Sequence, residues 1–267
     1  KYSIILDDAA DDYADRVKNA VLAKKVRSAE FGEEIFSIGN VPKFLKYRVF
    51  SENGKANSLI EEIWNGKMFT NEELQSEIED ITEEFRLFAQ GQINLMESEI
   101  KVEIDELAGK MTVPNIKVKN SSMISDHIKA TISNSASDIV KDAVLKITAF
   151  EIADFVLTDV LVKLVVAKTL VITGVSAASM TVKVVTMGIG IAAGVAINAY
   201  LQNNAIKELS DKTGSEIDVL AAEIVDKNEG IRSSMKQVSK EIISTYNSLE
   251  TERIVRKNIK VTEHKVY

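Results

Sequence analysis

Apolar residues recur at helical spacing between residues 70 and 111, where alternating steps of four and three place them along one side of a helix. The stripe shifts its register after Gly91 and then continues, which predicts one long helix. Thr70 and Glu73 have the spacing of a capping box and predict where this helix begins. Pro114 predicts its end, because the residue before a proline is disfavoured in helical geometry.

A second stripe follows residue 215 and keeps the same spacing over more than four heptads. A seam of that length requires a helical partner along all of it. We expect helix 70–111 to be this partner, in an antiparallel pair. The residues expected to form the helix-pairing seam are Ile217, Leu220, Ile224, Ile231, Met235, Val238 and Ile242.

The rest of the pattern predicts shorter helices. Residues 7–27 begin with acids and end with bases, the order that the helix dipole favours, and this helix is expected to end before Phe31. Pro42 is expected to interrupt the chain. The single tryptophan, Trp64, is interpreted as a core or interface anchor, with placement at a membrane interface as the alternative. Residues 121–150 form another amphipathic stripe.

The most apolar part of the chain runs from residue 155 to 206 and is expected to form a central helical hairpin. Its second arm, Val184 to Ile206, contains 23 residues without a charge, and about 20 apolar residues suffice to cross a bilayer. The uncharged part of the first arm, Thr169 to Val182, has only 14 residues, a length more typical of a buried helix. Only the second arm is therefore well suited to lipid.

Small residues mark this second arm. Gly190 and Gly194 have the spacing at which two helices approach closely in lipid or in a dry bundle core. A dinucleotide site would also need a βαβ unit and a later acidic residue, which the helical segment that follows does not supply. The residues expected to insert into a membrane or to pack helices are Val184, Gly188, Gly190, Gly194, Ile197 and Tyr200.

Composition favours an all-α fold, because two prolines and 12 glycines are few for 267 residues. We expect an elongated bundle of long amphipathic helices around the central apolar helical hairpin. Residues 1–69 would form an N-terminal helical or irregular region, 70–250 the long-helix bundle, and 251–267 a basic tail that either touches anionic lipid or is solvated.

The net charge and the reactive residue types of the chain argue against several classes of function. A net charge of −7 argues against nucleic acid as the partner. The absence of cysteine excludes disulfides and thiolate metal sites. His127 and His264 have no partners at metal-ligand spacing, and no catalytic motif is present. We therefore expect no enzyme activity, catalytic residue, cofactor or metal.

This layout resembles that of α-helical pore-forming toxins, which pack long amphipathic helices around an apolar hairpin. The matching parts are residues 70–111, 121–150, 155–206 and 215–250, which make up most of the chain. The resemblance implies a hairpin that is sequestered in a water-soluble form and released into a bilayer. Two other interpretations of the hairpin stay open: a permanent membrane anchor, or a segment simply buried in a soluble bundle.

The leading functional hypothesis is a membrane-associating helical protein, a pore-forming or membrane-inserting effector, whose partner is a lipid bilayer. The alternative is a soluble or envelope-anchored scaffold without catalytic activity, which pairs with a protein partner or with itself through the helical seam. Lys1 is not an initiator methionine, which either a removed signal peptide or truncation would explain. We expect a secreted or envelope-associated protein.

Overall fold

The computed structural model describes residues 1–49, 52–108, 151–160, 199–226, 230–244 and 246–247, in which the regular structure is helical and no strand occurs. The predicted all-α class is therefore confirmed, and the helices pack against one another as a bundle. The elements in chain order are α1 (Tyr2–Ala23), a 3₁₀ turn (Lys24–Arg27), α2 (Ser28–Ile35), α3 (Val41–Val49), α4 (Asn53–Lys67), α5 (Asn71–Ala108), a π-helical segment (Phe155–Val160), α6 (Ala199–Val225) and α7 (231–244).

The first helical region is longer than predicted. Helical structure continues past Phe31 to Ile35, so the expected end before Phe31 is wrong. Gly32 costs the helix backbone entropy, but its lack of a side chain lets α2 pass close to α6. A Cβ placed on Gly32 would lie 3.1 Å from the carbonyl oxygen of Ile206. Tertiary packing therefore outweighs the weak local propensity of this glycine.

The predicted interruption at Pro42 is wrong in position, because the helix break covers residues 36–40 and α3 already begins at Val41, the residue before the proline. Pro42 lies in the first turn of α3, where a helix does not need the missing N–H.

Trp64 is buried in α4 with 1% of its surface exposed, which confirms its predicted place in the core. Phe31 and Phe69 meet its ring edge-on, with centroids 5.5 and 5.3 Å away. Such edge-on pairs stabilise a core beyond the area they bury.

The predicted start of α5 is confirmed, because the Glu73 backbone N–H donates to Thr70 Oγ1 at 3.0 Å. The second half of the capping box does not form as the pattern implied. The Glu73 carboxylate instead pairs with Arg27 at 3.2 Å and with Lys24 at 3.6 Å. Helix α5 is continuous through Gly91 to Ala108, and its predicted end before Pro114 lies outside the described residues.

The chain divides into two units. Among the described residues, the first unit holds residues 1–18, 76–108 and those from Val225 onward; the second holds 19–75, 151–160 and 199–224. Helices α1 and α5 contribute residues to both. The predicted boundary at residue 70 coincides with the break between α4 and α5, and as a domain boundary it stays a prediction.

Within the first unit, α1 runs antiparallel to α5, because Lys1 pairs with Glu99 at 3.0 Å and Arg16 with Glu84 at 2.7 Å. The ring of Tyr13 lies between these two pairs, edge-on to Phe85 at 5.7 Å. Residue numbers therefore rise along one helix as they fall along the other.

Helix α1 also runs antiparallel to α7. Ser239 Oγ donates to the Leu6 carbonyl at 3.2 Å, while Lys18 pairs with Asp226, just before α7, at 2.6 Å. Two helices that are both antiparallel to α1 run in the same direction. The predicted antiparallel pairing of 70–111 with 215–250 is therefore wrong within this unit, and α1 is the antiparallel partner of each.

In the second unit, α2 and α3 both pack against α4. Helix α6 meets the 3₁₀ turn through an ion pair between Lys25 and Asp218, and it meets α2 at Gly32. Large side chains with less than 2% of their surface exposed fill the core of this unit: Phe31, Ile35, Phe36, Phe44, Ile60, Trp64, Met68 and Phe69.

Candidate functional site

Most of the predicted hairpin 155–206 lies outside the described residues. Its first six residues, Phe155–Val160, are π-helical, and its last eight belong to α6. Tyr200 is the second residue of α6. The other residues expected to insert into a membrane or to pack helices, Val184, Gly188, Gly190, Gly194 and Ile197, lie outside the part that the structure describes.

The end of the uncharged run is part of the packed protein. Ala205 is buried, and Ile206 contacts the Gly32 position of α2. The side chains of Asn203 and Asn204, the two residues directly before Ala205, are exposed. Without these last residues, the apolar part of the uncharged run extends from Val184 to Leu201. It is therefore shorter than the full run, Val184 to Ile206.

No helix among the described residues has both the length and the apolar composition needed to cross a bilayer. The described part also contains no group of three histidine, aspartate or glutamate side chains arranged to hold a metal ion.

The seam residues lie in α6 and α7, and all of them are buried within this one chain. Their exposed fractions do not exceed 3%. In the first unit, Ser239 is buried beside the α7 part of the seam and its hydroxyl reaches α1 at Leu6. The seam residues found buried are Ile217, Leu220, Ile224, Ile231, Met235, Val238 and Ile242.

A network of charges, here called the Arg232 clasp, joins α1 to the start of α7. The Arg232 guanidinium donates to Asp11 Oδ1 at 2.9 Å, to Asp226 Oδ1 at 3.0 Å and to Asp15 Oδ1. Asp11 and Asp15 are one turn apart and so lie on the same face of α1. One cation therefore binds three carboxylates, and about a quarter of its side chain is exposed.

Two lysines complete the clasp, because Lys236 pairs with Asp11 at 2.8 Å and Lys18 with Asp226 at 2.6 Å. Hydrogen bonds from Lys236 and then Arg232 lower the pKa of Asp11. Bonds from Lys18 and then Arg232 lower the pKa of Asp226 in the same way. The carboxylates, Asp15 first, raise the pKa of Arg232. Asp11, Asp226 and Arg232 therefore stay ionised near neutral pH, so they fasten two helices and offer no proton for catalysis.

A smaller network holds the 3₁₀ turn of the second unit. Glu73 binds both Lys24, which is buried, and Arg27. Arg27 also donates to the carbonyl oxygen of Met68, and Lys25 pairs with Asp218. The three bases of this turn are therefore each matched by a carboxylate.

The pattern of the sequence contained little sign of these networks. Arg232 is 221 residues from Asp11 and 217 from Asp15, and no local rule links positions that far apart. The one available signal was the pair of acids at helical spacing on α1.

Comparison with known protein families, characterised proteins and solved structures found no match to this chain. The fold therefore defines the class: an all-α helical bundle with a buried apolar seam and charged networks between its helices. Any narrower function has to be argued from the chain itself.

Proposed function

We propose that this protein associates with lipid bilayers by inserting the apolar segment within residues 155–206. The observation that carries the proposal is the uncharged run that begins at Val184. With Ala205 and Ile206 packed in the second unit, the inserting part is Val184 to Leu201. Its 18 residues stay within the range of roughly 17–25 that spans a bilayer.

The spacing of Gly190 and Gly194 supports the proposal, because small residues at this spacing let helices approach closely in lipid. The charged networks support a rearrangement. Ion pairs between helices hold the bundle together in addition to its apolar core. When helices separate, water replaces these ion pairs at a low cost in free energy. The protein then acts as a membrane-inserting effector whose bundle holds the segment until it meets a bilayer.

Vesicle flotation and dye release, at neutral and acid pH, test this function. Ile197→Asp places a charge inside the inserting part, four residues before its end at Leu201, where a charge costs about 2 kcal/mol, less than the cost at the centre of a span. We expect the fraction of floating protein and the rate of dye release to fall by about 30-fold. Val219→Asp is the matched control, since Val219 is 43% exposed on α6 and lies outside the segment.

Helical circular dichroism and the emission of the buried Trp64 verify that both variants remain folded. A wild-type chain that neither floats nor releases dye contradicts the proposal. So does an Ile197→Asp variant that floats and releases dye as the Val219→Asp control does.

A second candidate function is a helical interaction module that self-associates. It is favoured by an exposed apolar face on α5, where Leu87, Leu95 and Val102 share one side of the helix and are 53–57% exposed. The seam that the sequence offered for pairing is buried inside the chain. Analytical ultracentrifugation of wild type and Leu87→Ser/Leu95→Ser tests this candidate, which requires a wild-type oligomer that the variant dissociates.

A further inference from the structure

The bend between α2 and α3 and the exposed face of α3 form a basic surface on an acidic protein. The whole chain has 40 acidic and 33 basic residues, and the stretch 35–51, which lies between Glu34 and Glu52, contains three bases and no acid. These bases are Lys43, Lys46 and Arg48. Such a local excess of positive charge opposes the net charge of the molecule and marks a surface for an anionic partner.

The bend presents one apolar side chain to solvent. Ile38 is 91% exposed, although Phe36 and Val41 on either side of it are buried. The backbone of the bend is hydrogen-bonded, with the Asn40 and Val41 N–H groups donating to the Ser37 carbonyl at 3.1 Å. Ile38 is therefore held outward by an ordered turn whose two ends are anchored in the core.

The lysines lie on the side of α3 that faces away from the core. Val41 and Phe44 are buried, whereas Lys43 and Lys46, three residues apart, are exposed on the opposite face. The Lys43 ammonium donates to Asn40 Oδ1 at 3.2 Å, and the Asn40 amide in turn donates to Glu34 Oε1 at 3.1 Å. The ion pairs found among the described residues of this region join Lys55 to Glu52 and Lys67 to Glu34, and none of them includes Lys43 or Lys46. On the α4 side the surface ends at Glu62.

The 3₁₀ turn provides an internal comparison. It also presents an exposed apolar side chain, Val26 at 80%, among three bases. There, however, Glu73 and Asp218 neutralise those bases. Val26 therefore differs from Ile38 in that carboxylates bind the bases around it.

We propose that Ile38, Lys43 and Lys46, named here the α3 surface, bind anionic lipid bilayers. The ammonium groups approach the phosphate and carboxylate headgroups, and Ile38 enters the interface between headgroups and acyl chains. Charge complementarity indicates this partner, because an anionic bilayer presents many negative charges in one plane. Beneath them lies an apolar interior that one side chain can enter. The α3 surface is separate from residues 155–206, so its lipid binding stands whether or not that segment inserts.

The expected size of the effect follows from the chemistry of the three residues. Each base near an anionic bilayer strengthens binding by about fivefold. The Lys43→Gln/Lys46→Gln variant is therefore expected to bind about 25-fold more weakly. Ile38→Ser is expected to weaken binding by about tenfold, since it removes a buried apolar side chain.

The experiment measures binding of the full chain to phosphatidylcholine vesicles that contain about 30% phosphatidylserine, and to vesicles of phosphatidylcholine alone, with dye release recorded in the same samples. Lys207→Gln/Lys240→Gln is the matched control for charge, because both lysines are exposed on other helices. Val26→Ser is the matched control for the exposed apolar side chain. Neither control is expected to weaken binding by more than about twofold.

The proposal predicts binding to the anionic vesicles that weakens with added salt, and loss of that binding in the α3 variants alone. Equal binding of wild type and Lys43→Gln/Lys46→Gln overturns it, as does absence of any wild-type preference for anionic vesicles. Circular dichroism shows whether each variant is folded. Binding without dye release supports the α3 surface while contradicting insertion, so the two proposals are separated by one set of samples.

Discussion

Gly32 illustrates at the scale of one residue how the close approach of two helices limits substitution. A Cβ at this position would meet the Ile206 carbonyl oxygen at 3.1 Å. Gly32→Ala gains about 0.5–1 kcal/mol of helix propensity but overpacks a backbone contact, at a cost of about 1–3 kcal/mol. We expect a net loss of about 1 kcal/mol in the free energy of unfolding, measured by urea denaturation.

Gly214→Ala is the control for this substitution, because Gly214 also lies in a helix and a Cβ there would have nothing within 4 Å. We expect this variant to be more stable than wild type by about 0.5–1 kcal/mol. Equal stability of the two variants would show that α2 and α6 do not approach as closely as the structure indicates.

Arg232 is the residue on which the clasp depends. Arg232→Met leaves Asp11, Asp15 and Asp226 without their common cation, and we expect the free energy of unfolding to fall by about 1–2 kcal/mol after allowance for solvent screening. Lys55→Met removes only an exposed pair with Glu52, and its urea midpoint is expected to match that of wild type. Urea midpoints compare them, and a loss no larger than that of Lys55→Met would contradict a central role for Arg232.

Residues whose role depends on near neighbours were predictable. Thr70 caps α5 through an N–H three residues away, and Trp64 is the bulky apolar residue of a helical stripe. The partners of Arg232 were not, because they are more than 200 residues away along the chain. The spacing of apolar residues shows which face of a helix is apolar. It does not show which charged residues of other helices the polar face will contact.

At the scale of helices, the main error concerned which helix pairs with which. The stripes of α5 and of residues 215–250 have similar length, so they were paired with each other. Helix α1 carries a smaller buried face, in which Ala10, Ala14 and Val17 are fully buried, and small residues give a weak signal of hydrophobic periodicity. Small side chains nevertheless allow helices to approach closely, and α1 is the antiparallel partner of both α5 and α7.

Contacts between helices also explain where α2 ends. Local propensity placed a helix end before Phe31, because glycine disfavours helical structure. Phe31 packs against Trp64, and Gly32 permits the contact with Ile206. Tertiary contacts of this kind are absent from a single-sequence pattern, which is why the existence of the helix was predictable and its boundary was not.

For the whole molecule, scarcity of proline and glycine was enough to predict the all-α class, since few positions are left that break a helix. The uncharged run predicted a membrane segment from composition alone. Composition does not show which of its residues pack in protein. Ala205 and Ile206 do so in α6, so the part proposed to insert is shorter than the uncharged run itself.

The stability of the whole molecule is expected to decrease in acid. Asp11 and Asp226 have pKa values lowered in the folded state, so they stabilise it above the unfolded pKa of about 4. That stabilisation is lost as the pH falls through their folded pKa values, and urea midpoints should decrease below about pH 4. Arg232→Met should show a shallower decrease, because its aspartates have pKa values closer to normal. An equally steep decrease in the variant would exclude Arg232 as a cause and leave the contacts with Lys236 and Lys18.

Insertion of the segment that begins at Val184 is the central claim, and single-cysteine labelling tests it most directly. The chain has no cysteine of its own, so Ile197→Cys and Val219→Cys each carry one fluorescent label at a defined site. With vesicles that contain a lipid-bound quencher, we expect the label at position 197 to be quenched and the label at 219, exposed on α6, to stay bright. A label at 197 that stays as bright as the one at 219 on vesicle-bound protein would contradict the account.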